Sequence, residues 1–275
     1  MSRSGARDGT PPPAPEPLAV PALDSHCHLD LGDVPVAQAL AAARAVGIAT
    51  VVQVGVDLES SRWSAEVAAG HDDVWAAVAL HPNEAGEGAA TPEALDEVAR
   101  LAALPQVRAV GETGLDHFRT GPEGHRAQEE SFRAHIAIAK ATGTALMIHD
   151  RDAHDDVVRV LDEEGAPEHV VFHCFSGGVD LARTCADRGW VASFAGTLTF
   201  RNAENLREAA AVLPRELLLV ETDAPFLTPS PYRGRPNASY LVPLTVRALA
   251  QVRGDDVDAL CADLTATGNR VFGPL

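Results

Sequence analysis

The sequence predicts a single-domain (β/α)8 TIM barrel, an α/β fold, and three observations carry that prediction. Eight short apolar runs punctuate the 275 residues, at 22–28, 48–56, 74–81, 107–112, 145–149, 169–174, 190–196 and 216–223. Most are continuously apolar rather than alternating, as parallel strands covered on both faces are. Each gap between runs has room for one helix, so strand and helix alternate with no long antiparallel stretch. An open doubly wound sheet is the competing layout, but no Gly-rich phosphate loop follows the first run.

The segments between the runs carry helix signals in turn. Val36, Ala39, Leu40, Ala43 and Val46 fall on one helical face, and Gly47 follows as a stop. Thr91-Pro92 is a cap followed by proline at the first helical position, with Val98 and Leu101 as the apolar stripe. Asp152 to Glu164 carries Val157, Val160 and Leu161 and stops at Gly165, and Asn202 to Leu213 stops before Pro214. Trp63, Trp75 and Trp190 are expected in the core or between helices and sheet.

Composition narrows the class of function. Apolar residues make up 46% of the chain, enough for a sizeable core without covalent staples. The formal net charge of −17 excludes a protein that holds a polyanion by surface charge alone. Any activity on nucleic acid must therefore rest on a local cationic site, which bound metal can supply. Cys27, Cys174, Cys185 and Cys261 are scattered, which fits a reducing, cytoplasmic compartment and simple core packing. No apolar run approaches the roughly 20 residues that span a bilayer, and the first residues lack the apolar stretch of a signal peptide. Residues 1–20 read as a flexible, Pro-rich tail and residues 21–275 as the barrel. No stable protein partner is expected.

The chemistry-bearing residues cluster where barrel active sites form, at the C-terminal ends of strands. The first run ends in Asp24-Ser25-His26-Cys27-His28, the fourth in Glu112 with Asp116 beyond it, the fifth in His149, the sixth in His173 and the eighth in Glu221-Thr222-Asp223. His26 and His28 are two apart on a strand and face the same way. An isolated H-x-H pair means little, but here Glu112, His149, His173 and Asp223 follow on other strands. Imidazole nitrogen with carboxylate oxygen suits Zn, Mn, Ni, Co or Fe, and Mg at lower affinity.

The ligand set is large enough for two divalent ions. His26, His28 and Asp223 are assigned to one, His149 and His173 to the other, and Glu112 to the bridge. Two ions in this arrangement acidify a water and clamp a phosphodiester. Glu112 and Asp223 are the catalytic candidates, and Asp223 is also placed to orient or deprotonate the attacking water. Glu221, His81 and Arg151 are assigned to substrate contact or ligand support. Asp24 and Asp116 read as braces. His71, His117, His125, His135, His154 and His169 fall off the pattern and read as surface or packing residues.

These blocks together resemble a known family. DSHCHLD, HPNEA, GETGLD, MIHDRDA, HCFSG, ETDAPFL with YRGRPN, and the terminal TGNRVFG, in this order from about Leu23 to Phe272, closely resemble the TatD family of metal-dependent deoxyribonucleases. The resemblance implies a two-metal site at the six positions above. It also implies magnesium- or manganese-stimulated cleavage of DNA, often 3′ to 5′ on single strands, with roles in DNA repair or degradation. Two departures stand out. Asn237-Ala238-Ser239 replaces the family's N-E-P, and Asp150 replaces the serine of H-S-R, adding negative charge near the mouth.

A rival reading keeps the metal site but changes the bond, to an amide, ester or lactone in a small molecule, since one scaffold serves many chemistries. Relatives of that kind commonly bridge their metals with a carbamylated lysine. The chain has one lysine, Lys140, in a predicted helix. A non-catalytic scaffold is a third reading, opposed by the intact set of candidate ligands.

Overall fold

In a computed structural model, which describes residues 9–274, eight parallel strands form one sheet in sequence order, each paired with the next. In chain order the elements are β1 (Ala22–Cys27), α1 (Val36–Ala45), β2 (Ile48–Val54), α2 (Leu58–Gly70), β3 (Val74–Val78), α3 (Pro82–Gly86), α4 (Pro92–Ala102), β4 (Val107–Asp116) and α5 (Pro122–Thr142). Then come β5 (Ala145–Arg151), α6 (His154–Glu164), β6 (Val170–Phe172), α7 (Val179–Arg188), β7 (Val191–Phe194), α8 (Glu204–Val212), β8 (Leu218–Val220), α9 (Val242–Arg253) and α10 (Val257–Phe272). Backbone bonds close the ring between its first and last strands: Asp223 N–H donates to His26 O at 2.9 Å and His28 N–H to Ala224 O at 2.8 Å. The fold is the (β/α)8 barrel that the apolar runs predicted.

Local chemistry starts the helices where expected. Thr91 Oγ1 accepts from the N–H of Ala94 at 3.2 Å with Pro92 in the first turn of α4. Asp57 and Ser60 form a reciprocal capping box at α2. The helices pack on the outer face of the sheet through Phe132, Ile136, Val157, Leu161 and Leu249, all buried. A second apolar cluster fills the barrel itself, with Val52, Val54, Ala77, Ala109, Met147, Val171 and Leu219. Trp75 and Phe272 plug its lower end with ring centroids 5.8 Å apart. Trp75 and Trp190 are buried and Trp63 is half-buried on α2.

Two strands depart from the expected runs. β8 is only three residues long, and Asp223 lies beyond it with a left-handed backbone, φ 53°. Such a conformation costs about 1–3 kcal/mol, and the bond to His26 O holds it. β4 runs on to Asp116, so Glu112 lies inside the strand rather than at its end. Gly111 and Gly114 make that possible. A Cβ at Gly111 would stand 2.4 Å from Met147 Cβ, and one at Gly114 would stand 2.2 Å from His149 O. The two strands therefore approach more closely here than side chains allow.

The stretch expected as a Pro-rich tail, residues 1–20, is described from residue 9 onward. Residues 1–8 lie outside the described residues. From Thr10 onward the chain is a strap laid along the barrel wall. Arg235 donates to Thr10 O and Pro11 O, Tyr240 to Pro12 O and Arg247 to Pro17 O. Leu18 is buried, with its N–H bonded to Val46 O at 3.0 Å. Proline-rich sequence lacks donors but keeps its carbonyls, and three side chains of the last βα unit use them.

Candidate metal centre

The six expected side chains converge at the C-terminal end of the barrel, on top of Met147, whose Sδ lies 3.1 Å from His26 Nδ1. His26 comes from β1 and His28 from just past it. Glu112 comes from β4, His149 from β5, and His173 and Asp223 from just beyond β6 and β8. His26, His28, Glu112 and His173 are buried.

Glu112 divides the pocket in two. Its Oε1 lies 3.5 Å from both His26 Nε2 and His28 Nε2. Those nitrogens are 3.2 Å apart and lie 3.7 and 3.6 Å from Asp223 Oδ1. Its Oε2 lies 2.8 Å from His173 Nε2, 3.0 Å from His149 Nδ1 and 3.6 Å from His81 Nε2. Four donors set tetrahedrally around an ion at bond lengths near 2.1 Å stand roughly 3.4 Å from one another. The spacing of the first group fits that figure, so the donor set suits a divalent ion. A further triplet, His26, His173 and Glu221, also has its donor atoms close together.

The outer nitrogen of each histidine is occupied, which aims the inner one. His28 Nδ1 bonds Val54 O at 3.0 Å, His173 Nδ1 bonds Glu221 Oε1 at 3.3 Å, and His149 Nε2 bonds Asp116 Oδ2 at 3.1 Å. Such outer partners fix ring orientation and tautomer. Glu221 Oε1 also accepts the N–H of Cys174 at 2.8 Å, next to a left-handed Cys174 at φ 42°. Asp24 braces the seam through Thr222.

The electrostatics call for positive charge. Burial alone would raise the Glu112 carboxyl, but the imidazoles of His173, His81 and His149 outweigh it and hold the group well below the usual carboxylate range. Burial also opposes charge on His28, yet Asp223 and Glu112 push it up to about 9. Glu112 and Glu221 raise His173 in the same way. His81 goes the other way, to about 4, because burial dominates there. Burial and the nearby carboxylates push the Cys174 thiol up, which leaves it neutral and a poor ligand. The carboxylates draw positive charge to the centre, the balance that a divalent cation satisfies.

A family model described as TatD related DNase matches residues 23–273, nearly the whole barrel. The chain belongs to the TatD family. It is similar to a Mycobacterium tuberculosis protein described as an uncharacterized metal-dependent hydrolase TatD, at 46% identity over 91% of this chain and 97% of that one. A Citrobacter rodentium relative described as a 3'-5' ssDNA/RNA exonuclease TatD is 34% identical over 86% of this chain and 91% of that one. Among solved structures, the Escherichia coli TatD homologue YjjV superposes with a TM-score of 0.86 at 25% identity, covering 92% of this chain and 98% of that one. This TatD-family chain is a metal-dependent hydrolase with a His/Glu/Asp cluster able to bind metal.

The structure places the remaining candidates as follows. His81 caps α3 through the N–H of Asn83 and reaches the pocket, with Nε2 3.3 Å from His149 Nδ1. It joins Glu112 and His149 as a third donor, closer to the centre than sequence alone suggested. Arg151 forms no salt bridge among the described residues and lies 4.1 Å over the Phe118 ring. Asp150 turns away from the mouth and bonds His154 at 2.7 Å, because neighbours of an inward strand residue face outward. Its Oδ2 is thus partnered by His154. Asn237 fastens the loop after β8 by donating to Thr222 O at 2.9 Å and to Phe226 O at 2.5 Å. Lys140 Nζ bonds Glu164 O on the outer wall, away from the pocket. His135 is buried in the core, while the other off-pattern histidines lie outside the pocket, His117 and His125 stacked on each other at 3.8 Å.

Proposed function

We propose that the chain is a deoxyribonuclease that hydrolyses phosphodiester bonds from the 3′ end of single-stranded DNA, with two divalent ions at this pocket. One observation carries the reading: the two oxygens of Glu112 face two donor groups, Oε1 at 3.5 Å from His26 and His28, and Oε2 at 2.8 Å from His173 and 3.0 Å from His149. His26, His28 and Asp223 would hold one ion, His149 and His173 the other with His81 beside them, and Glu112 would join both. Ions so held supply Lewis-acid charge that acidifies a water and neutralises the phosphate.

The residues of the chain do the rest. Asp223 orients the attacking water and accepts its proton. Glu221 and Asp116 keep the imidazoles of His173 and His149 aimed inward. Arg151, paired with no carboxylate among the described residues, meets the substrate phosphate. The substrate class rests on the Citrobacter rodentium relative's description and on the absence of lysine from the pocket. Zn, Mn, Co, Ni and Fe all suit this donor set, with Mg weaker. Four free cysteines agree with a reducing, cytoplasmic compartment. Among the described residues, no helix is long and apolar enough to cross a membrane.

The test is metal reconstitution with Mg, Mn, Co or Zn, then incubation with 5′- and 3′-labelled single-stranded oligonucleotides beside H149A and D223A controls. The expected result is a product ladder shortening from the 3′ end that both controls lose. No cleavage with any of the metals would overturn the nuclease reading and favour an amide, ester or lactone of a small molecule.

A further inference from the structure

We propose that Phe118 and Phe226 are base-stacking platforms on opposite sides of the barrel mouth, gripping a single nucleic-acid strand on either side of the bond to be cut. The inference rests on the nuclease reading and deepens it by saying how the strand is held.

Among the described residues, five large apolar side chains are exposed: Leu31, Val34, Phe118, Val212 and Phe226. All but Val212 lie on loops that follow barrel strands, on the mouth side. Phe118 is 62% exposed and Phe226 52%. Large aromatic rings are not left in water at a barrel rim for packing reasons, and the two concerned follow β4 and β8. In a ring of eight strands these are four apart, so the rings stand across the mouth from each other.

Each ring is tied to a candidate ligand. The N–H of Phe118 donates to Asp116 Oδ1 at 3.0 Å, and the other oxygen of Asp116 bonds His149. The N–H of Phe226 donates to Asp223 O at 2.8 Å, and its ring meets His28 edge-on, centroids 6.4 Å apart. Arg151 covers one face of Phe118, which leaves the other face open to a base.

Charge distribution selects the occupant. The net charge is −17, and arginines on the outer wall are neutralised there: Arg133 and Arg159 by Glu129 and Glu163, Arg188 by Asp162. Arg119, Arg151, Arg201 and Arg233, at the ends of β4, β5, β7 and β8 or in the loops beyond, pair with no carboxylate among the described residues. Arg151 and Arg233 instead lie over the rings of Phe118 and Phe200. Unpaired cations interleaved with exposed aromatic rings are what a single strand needs, phosphates on the first and bases on the second. A duplex hides its bases and could not use the rings.

The experiment compares an oligothymidylate with an abasic strand of equal length, which has the same phosphodiesters and no bases. Both are assayed on the metal-reconstituted full chain. Wild type should prefer oligothymidylate. Phe118→Ala and Phe226→Ala should each raise KM for oligothymidylate about ten-fold with kcat changed less than two-fold, and shrink that preference. Phe118→Trp should restore KM, and its fluorescence should be quenched by oligothymidylate and not by the abasic strand. Val212→Ala on the outer wall is the neutral control. An unchanged KM in both alanine variants, or equal cleavage of the two strands by wild type, overturns the inference while the nuclease reading stands. Cleavage of neither strand by wild type overturns both.

Discussion

Asp24 clasps Thr222 across the seam of the barrel, accepting the backbone N–H of Thr222 at 2.8 Å and its hydroxyl at 2.6 Å. The two residues are 198 apart in sequence and lie within two residues of His26 and Asp223. Asp24→Ala would remove the bonds that Asp24 accepts from Thr222 N–H, the Thr222 hydroxyl and His26 N–H, a loss of about 3 kcal/mol. Urea denaturation should show that loss, and calorimetric titration should show metal binding weakened at least about ten-fold. A wild-type midpoint and affinity would mean the clasp is dispensable.

Removal of Glu112 tests the division of the pocket. If the pocket holds two ions as proposed, Glu112→Ala should retain one fewer than the parent, counted by elemental analysis after dialysis. Turnover should fall by roughly a hundred-fold or more, since a shared carboxylate is lost together with an ion. Two ions and full activity in the variant would reject the bridge.

Glu221 acts through His173. Glu221→Ala frees His173 Nδ1 and orphans the N–H of Cys174, so metal affinity should drop about 10- to 100-fold while saturating metal restores much of the rate. A variant with unaltered affinity would show that His173 is aimed by packing alone.

His135 gives the fold a pH dependence separate from the metal pocket. Its Nδ1 donates to Ser131 O at 2.7 Å and its Nε2 accepts the N–H of Leu80 at 3.1 Å, and the bond from Leu80 requires the neutral ring. Burial lowers its pKa from 6.5 to about 4. The unfolded chain binds this proton first, so the contribution is full above pH 6.5 and lost as pH falls through about 4. The loss amounts to about 3 kcal/mol. Unfolding free energies of wild type and His135→Gln, which keeps an acceptor for Leu80, should converge between pH 7 and pH 4. A constant difference across that range would contradict the assignment.

Gly114 should tolerate no side chain. With φ 136° and His149 O where a Cβ would sit, Gly114→Ala must move β4 from β5 and shift His149. The expected cost is on the order of 3 kcal/mol, with metal binding impaired, read by thermal unfolding with and without added metal.

Much of this was legible in the sequence. Continuous apolar runs and the Thr91-Pro92 cap sufficed for the barrel, and polar residues at run ends sufficed to bring His26, His28, Glu112, His149, His173 and Asp223 together. Less could be read where the deciding partner is distant in sequence. Asp116 and Glu221 support His149 and His173 from other strands, and no local pattern announces that pairing. His81 reads as a substrate contact or ligand support, and its place as a donor beside Glu112 and His149 shows only in the folded pocket. The shortness of β8 and the left-handed turn at Asp223 follow from tertiary bonds to His26, which an apolar run cannot reveal. The strap at residues 10–18 looked like disorder because its carbonyls are invisible to composition.

That strap also decides how the protein can be handled. Thr10 is moored to Arg235, on the loop that rises from β8 beside Phe226, and from there the chain descends the wall to Leu18. A bulky group placed at Thr10 would sit beside the opening and crowd it. Gly273 follows Phe272, which plugs the floor, so a bulky group there would hang from the closed end and leave the entrance clear.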